Sequence, residues 1–326
     1  VTETVLAHNG QPASEYINDI RKAVKRHSEA TGVSQAEIAR GSGVSSSTLS
    51  EFLRNTYRGN MLQVAETLEK WVGAETDKLE HSYAVISDPP FIETSLAKQV
   101  LTALRYAHVS PSMAVVTLGS GLGKTVALKH YAATHLHAYR VVIRPTDSRP
   151  NRAMRAIGRM LGLGDIMRLQ DMTVRISERL KREGGRQTLL MIDEAQHLSE
   201  ESVNELRFLL DEFQCGLALV GNEDLMRRYR LQATREGFGQ IHRRIGTRVD
   251  IRVCPPTDVD LILNAMGVSD PELRRLSHQV ALRPGGIGQM VDTLKLASVS
   301  AYGHHREVTA GDLKAAWSNR SQEDIR

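Results

Sequence analysis

A short apolar run, MAVVTL (113–118), leads directly into Gly119-Ser120-Gly121-Leu122-Gly123-Lys124-Thr125, and from Val126 onward the residues favour a helix. This junction restricts the fold more than any other stretch of the chain. Glycines between a buried strand and a helix let successive backbone N–H groups wrap an anion, and the helix N-terminus adds partial positive charge. Lys124 is then positioned to reach the β and γ phosphates of a nucleotide, and the Thr125 hydroxyl to ligate Mg²⁺. The candidate nucleotide-binding segment is therefore residues 119–126. It departs from the strict GxxxxGK[ST] spacing at one place: Leu118 stands where the first glycine belongs, and Gly119 follows one step late.

A second half of such a site lies further along. TLLMIDEAQHL (188–198) is an apolar strand pattern ending in Asp193-Glu194. Two adjacent acids at a strand's C-terminal end divide the work, Asp193 holding the metal and Glu194 polarising the attacking water. With the Lys124 loop, this pair makes ATP and Mg²⁺ the expected cofactors and hydrolysis to ADP and phosphate the expected reaction. The run GLALVG (216–221) ends beside Asn222. Its amide is expected to orient the attacking water, with capping of the next helix as the alternative. In QIHRRIGTRVDI, Arg243, Arg244 and Arg248 come just before the fifth strand pattern. An arginine inserted into a neighbouring subunit's site stabilises the charge of phosphoryl transfer, and Arg244, with Arg243 beside it, is the candidate.

Five strand-like runs, 113–118, 139–143, 188–193, 216–221 and 249–253, alternate with helical stretches, and from Thr257 onward only helical patterns appear. Strands alternating with helices predict a parallel sheet covered on both faces. The 326 residues leave room for a second domain ahead of it. There, Ser34 with Glu37 forms a capping-box start, and QAEIARGSGVSSSTLSEFL (35–53) has the pattern of a helix-turn-helix: small Ala39, turn-forming Gly43, and apolar Val44, Leu49 and Phe52. If its second helix entered a major groove, Ser46 and Thr48 would face bases and Arg54 phosphates. Asp88-Pro89-Pro90 reads as a linker. The expected organisation is a flexible tail (1–13), a helix-turn-helix domain (14–85), an α/β nucleotide-binding core (86–256) and a helical lid (257–326).

Charge sharpens this division. Residues 1–88 carry 9 Lys/Arg against 12 Asp/Glu, so the net charge of +4 belongs to the rest of the chain. Twelve basic and five acidic side chains fall in 139–186, and eight arginines with two acids in 227–252, whereas 187–226 has one arginine and nine acids. The two cysteines, Cys215 and Cys254, supply no disulfide framework, no apolar run approaches a membrane span, and the first residues lack the pattern of a signal peptide. A soluble protein of the cytoplasm is expected, without a membrane partner.

The Lys124 loop, Asp193-Glu194, Asn222, the arginines before the fifth strand and the helical C-terminus together resemble the AAA+ ATPases. Within them, FIETSLAKQVLTALRYA (91–107), GLGKT, IDEAQHL, VGN and Arg244-Ile245 resemble the transposition ATPases of the phage Mu B, TnsC and IstB group. The resemblance implies an AAA+ P-loop sheet with a helical lid, preceded here by the all-α helix-turn-helix domain. It also implies that Phe91, Ile92 and Thr94 line the adenine. Gly288 stands in ALRPGGIGQM where such proteins usually carry an arginine that senses the γ-phosphate. The implied activity is ATP-dependent assembly on double-stranded DNA, as a ring or filament of identical subunits, to mark a transposition target and stimulate a transposase. Arg144, Arg149, Arg152, Arg155 and Arg159 follow the second strand, opposed only by Asp147. In such an assembly Thr146, Arg149, Arg152 and Arg155 would meet DNA phosphates. Aromatic residues are few, at 5%, and none interleave with these arginines, which favours tracking a duplex backbone over stacking on single strands. An ATP-gated helix-turn-helix regulator, a helicase-loader or replication-initiator ATPase, and a nucleotide-locked scaffold remain open at this point.

Overall fold

Among the described residues, five strands form one parallel sheet: β1 (Met113–Leu118), β2 (Ala138–Val142), β3 (Leu189–Asp193), β4 (Gly216–Gly221) and β5 (Ile245–Ile251). Every residue of β1, β3 and β4 is buried, which is why these three read as continuous apolar runs. The order β2-β3-β4-β1-β5 sets β4 between β1 and β3, so its C-terminal end opens between the glycine loop and the two acids. β5 begins four residues before the expected run, at Ile245. It is an edge strand, its residues alternate between half-buried and exposed, and its register against β1 shifts between Met113 and Ala114. The apolar signal is weak there for those reasons.

The computed structural model describes residues 11–84, 89–164, 168–231, 243–304 and 306–325, in a chain that divides into the units Val1–Val85 and Ile86–Arg326. Most of the expected tail, the Asp88 end of the linker and the middle of the 227–252 basic block lie outside the described residues. The first unit contains α1 (Ala13–Thr31), α2 (Gln35–Ser42), α3 (Ser46–Leu53) and α4 (Met61–Ala84). Its core is Tyr16, Ile20, Val24, Ile38, Leu49, Phe52 and Leu68. The Ser34–Glu37 capping box forms as expected, and α2 ends at Gly43 with φ 73°. Arg21 ties α1 to the end of α3 through Phe52 O (2.8 Å) and Asn55 Oδ1 (2.9 Å). The fourth helix, α4, continues to Ala84, close to the expected linker.

In the second unit, α5 (Ser95–Val109) precedes β1, and α6 (Lys124–Thr134), α7 (Pro150–Met160), α8 (Leu169–Glu183), α9 (Glu200–Phe213) and α10 (Glu223–Leu231) follow in turn. The lid consists of α11 (Pro256–Ala265), α12 (Pro271–Ala281), α13 (Gly286–Gly303) and α14 (Ala310–Ser321). The boundary expected at 256/257 is no break in packing. Leu273, Leu294 and Trp317 of the lid share one hydrophobic core with Leu104, Leu128 and Val116, and the other sheet face packs on Ile157, Ile176 and Leu209. Cys215 and Cys254 are buried free thiols, and no helix among the described residues is long and apolar enough to cross a membrane.

One buried carboxylate fastens the lid to the core. Asp258 of α11, 1% exposed, accepts Ser95 N–H (2.9 Å), Leu96 N–H (3.0 Å) and Ser95 Oγ–H (3.0 Å). It thereby satisfies the first N–H groups of α5, while Thr94 Oγ1 accepts that of Ala97 (3.1 Å). Asp258→Ala is expected to lower unfolding free energy by about 2–4 kcal/mol, a lost cap plus charge-assisted bonds. Denaturant midpoints of the full chain measure this, and a loss below about 0.5 kcal/mol would contradict it.

Candidate active site

Leu118 is buried and paired with Ile251, so the position where a first loop glycine was expected still belongs to the sheet. Gly119 extends it further, because its N–H donates to Ile251 O (2.9 Å). That N–H, expected among the phosphate donors, is committed to β5, and Gly119 is not among the cleft-lining residues. The turn proper is Ser120–Gly123, and α6 starts at Lys124. Lys124 Nζ folds back to donate to Leu118 O (2.8 Å) and Gly119 O (3.1 Å). Burial pushes the Lys124 pKa down, while Glu194 and Asp193 pull it partly back up.

Asp193 ends β3 and is 1% exposed. Its Oδ1 accepts Glu194 N–H (3.0 Å), and its Oδ2 lies 3.4 Å from Thr125 Oγ1. The two residues expected to hold the metal are thus brought together, and hydroxyl and carboxylate oxygens are the hard donors that suit Mg²⁺. Oδ2 also accepts two bonds from Arg140 on β2, from Nη2 (2.6 Å) and Nε (3.0 Å). The sequence reading did not single out Arg140, although an arginine within the apolar run YRVVI was the available signal.

Glu194 stands at φ 57°, a left-handed backbone unusual for a residue with a side chain. Its carboxylate accepts a bond from Gln196 Nε2 (2.5 Å), and Gln196 Oε1 accepts Asn222 N–H (3.3 Å). Gln196, also missed from sequence, links the expected base to the end of β4. Asn222 itself departs from expectation. Its Oδ1 accepts Asp224 N–H (3.0 Å) at the start of α10, so the amide caps a helix instead of facing water at Glu194. The open N–H groups of the first helical turn are its nearest partners.

A cleft of about 490 Å³ joins these parts. Its walls include Phe91, Ile92, Thr94, the loop residues from Ser120 to Val126, Glu194, and Ile262, Ile287 and Val291 of the lid. Phe91 is stacked on His130, with ring centroids 3.6 Å apart and planes at 9°. Apolar walls at one end and backbone N–H groups with a lysine at the other suit a base joined to phosphates. Thr94 lines the cleft, but its hydroxyl is used in capping α5. The lid touches the loop directly: Gly288 N–H donates to Gly121 O (2.9 Å). A Cβ on Gly121, at φ 70°, would stand 1.7 Å from Gly285 O, and one on Gly288 would be 3.3 Å from Gly121 Cα.

Arg243 and Arg244 lie outside this cleft. Arg243 is exposed, and Arg244 Nε pairs with Asp211 Oδ1 of α9 at 2.6 Å. After β2, Thr146 falls in a short 3-10 turn (Pro145–Asp147), and the following loop is pinned to α9 by Ser148 O, which accepts Ser199 N–H (2.9 Å) and Ser202 Oγ–H (2.6 Å). Asp147 is spent on Arg144, at 2.9 Å. Arg149 and Arg152 are exposed, Arg152 reaching Thr146 O (2.9 Å). Arg155, expected among the DNA contacts, is instead half-buried with its Nε enclosed, because its turn of α7 faces the core beside Met154 and Ala156. In the first unit Ser46 and Arg54 are exposed, and Thr48 Oγ1 accepts Ser45 Oγ–H (2.8 Å) in the cap of α3.

Two family models match the chain: an AAA domain over residues 108–229 and the C-terminal part of the Mu B transposition protein over 243–319. The chain is 30% identical to the ATP-dependent target DNA activator B of Escherichia phage Mu over 302 residues, covering 92% of this chain and 95% of that one. It is 28% identical to the Mu-like prophage FluMu DNA transposition protein B of Haemophilus influenzae, covering 83% and 93%. Solved structures similar to it include the Aeropyrum pernix ORC2 protein, at TM-score 0.54 and 18% identity over 71% of this chain and 69% of that one. Cdc6p of Pyrobaculum aerophilum gives 0.53 and 16% over 74% and 71%. At these identities the structural likeness concerns the fold, a parallel sheet with flanking helices and a lid.

Proposed function

The chain belongs to the Mu B transposition protein family, and on that basis we propose that it is an ATP-driven, DNA-binding AAA+ ATPase that oligomerises on duplex DNA, marks it as a target for transposition and activates a transposase. The observation that carries this reading is the meeting of Thr125 Oγ1 with Asp193 Oδ2 at 3.4 Å, at the wall of a cleft that Lys124, Thr125 and Glu194 line.

The chain's own residues divide the reaction. Phe91, Ile92 and the lid residues Ile287 and Val291 enclose the base. The loop N–H groups and Lys124 bind the phosphates, for which Lys124 exchanges its two carbonyl acceptors for phosphate oxygens. Thr125 and Asp193 would hold Mg²⁺, which when bound stabilises charge on the transferring phosphoryl group. Glu194 accepts the proton of the attacking water, once its carboxylate leaves Gln196. Arg244, with Arg243, is assigned to the neighbouring subunit's site and must first release Asp211. Thr146, Arg149 and Arg152 face duplex phosphates, while Ser46, Thr48 and Arg54 form a second DNA contact in the first unit.

Negative-stain micrographs of the full chain with duplex DNA, with and without ATP and Mg²⁺, test this reading. A ring or filament on DNA only with nucleotide is the expected result; a monomer under all conditions would sink it. A footprint on one operator, lost when residues 1–88 are removed, would instead make the protein a gated regulator. In DNA-binding titrations at several salt concentrations, Arg149→Ala and Arg152→Ala should each reduce the slope of log affinity against log salt by about 0.9 for every phosphate left without its arginine. Unchanged slopes would remove these residues from the DNA surface.

A further inference from the structure

Asp193 is a carboxylate almost entirely removed from water, and a buried charge of this kind needs a counter-charge within bonding reach. Arg140 supplies it. Arg140 lies opposite Met191 in the β2–β3 register, two residues before Asp193, so its side chain reaches along the sheet to the carboxylate. Both of its bonds, from Nη2 at 2.6 Å and Nε at 3.0 Å, fall on Oδ2. This is the oxygen that faces Thr125 Oγ1 at 3.4 Å, whereas Oδ1 is occupied by Glu194 N–H at 3.0 Å. A metal ion placed between Thr125 and Asp193 therefore meets an oxygen already held by a guanidinium through two charge-assisted bonds. Lys124 is a second cation near the same acids.

We propose that Arg140 is a positioning residue that neutralises Asp193 in the nucleotide-free protein and competes with Mg²⁺ for Oδ2, so that the metal enters only together with the negative charge of the nucleotide phosphates. This rests on the nucleotide-site reading above and adds the residue that sets its metal dependence. On loading, Arg140 must share Oδ2 or turn away, which the 20% exposure of its side chain permits.

The test uses the full chain and the fluorescent analogue mant-ADP, titrated with Mg²⁺, alongside thermal melting in EDTA. Arg140→Gln should lower the Mg²⁺ concentration at half-maximal mant-ADP binding by about tenfold, the order expected when a fixed positive charge a few ångströms away is removed. It should also melt earlier than the parent in EDTA, a deficit recovered with Mg²⁺ and ADP and absent when Asp193→Asn is combined with it. Arg140→Lys should fall between the parent and Arg140→Gln, and carries the Mg²⁺ titration if Arg140→Gln fails to fold. An unchanged or raised Mg²⁺ midpoint in a folded variant overturns the proposal, because a merely structural arginine would lower melting without tightening metal dependence. A parent protein that binds no mant-ADP at any Mg²⁺ concentration would overturn the nucleotide-site reading itself.

Discussion

Glu194→Gln is expected to lower ATP turnover by about 10²–10⁴-fold, the usual contribution of a general base, while nucleotide binding stays within about threefold of the parent's. The substitution keeps the shape of the side chain, so the hydrogen bond from Gln196 to the side-chain oxygen and the left-handed backbone at residue 194 are retained, and only the capacity to take a proton is lost. Assemblies formed in ATP should then persist, because the step that dismantles them is blocked. Phosphate release and the lifetime of the DNA-bound oligomer measure the two halves of this expectation. If Glu194→Gln turned over ATP like the parent, or assembled no more durably, the base would have to be sought elsewhere in the cleft.

Lys124→Ala should weaken ATP binding by at least about 100-fold and abolish nucleotide-dependent assembly, since the charge-assisted contact to phosphate, for which Lys124 gives up Leu118 O and Gly119 O, disappears. The pH dependence follows from the same burial. Desolvation lowers the Lys124 pKa, so the ammonium that meets the phosphates is lost at a lower pH than an ordinary lysine's would be, and affinity should fall on the alkaline side. Bound phosphate raises that pKa again, so nucleotide binding should take up protons there. Calorimetry in buffers of different ionisation enthalpy detects this uptake; its absence at alkaline pH would place Lys124 away from the phosphates.

What the sequence revealed depended on how local each determinant was. The glycine loop and Asp193-Glu194 were legible because their spacing is contiguous, and β1, β3 and β4 because strands buried throughout are apolar but for Thr117 and the terminal Asp193. β5 was displaced in the reading since an edge strand, with its half-buried alternation, has no such run. Arg140 and Gln196 escaped for a different reason. Their roles come from the adjacency of β2 to β3 and of β3 to β4, which neither residue's neighbours in sequence announce. Asn222 was assigned by its place at a strand end, but the backbone it meets is the start of α10, and the helix claimed its amide.

Gly288 read as a missing arginine, yet the lid meets the loop there through an uncharged backbone bond to Gly121 O at 2.9 Å. An arginine signal to the lid would be a charge interaction, whereas this one is contact between two peptide groups. Ionic strength screens exposed charges and leaves a close-packed peptide contact largely untouched. In the proposed function, a grip on DNA phosphates and the contact from loop to lid would therefore answer to different variables: salt would loosen the first and leave the second to follow the shape of the loop.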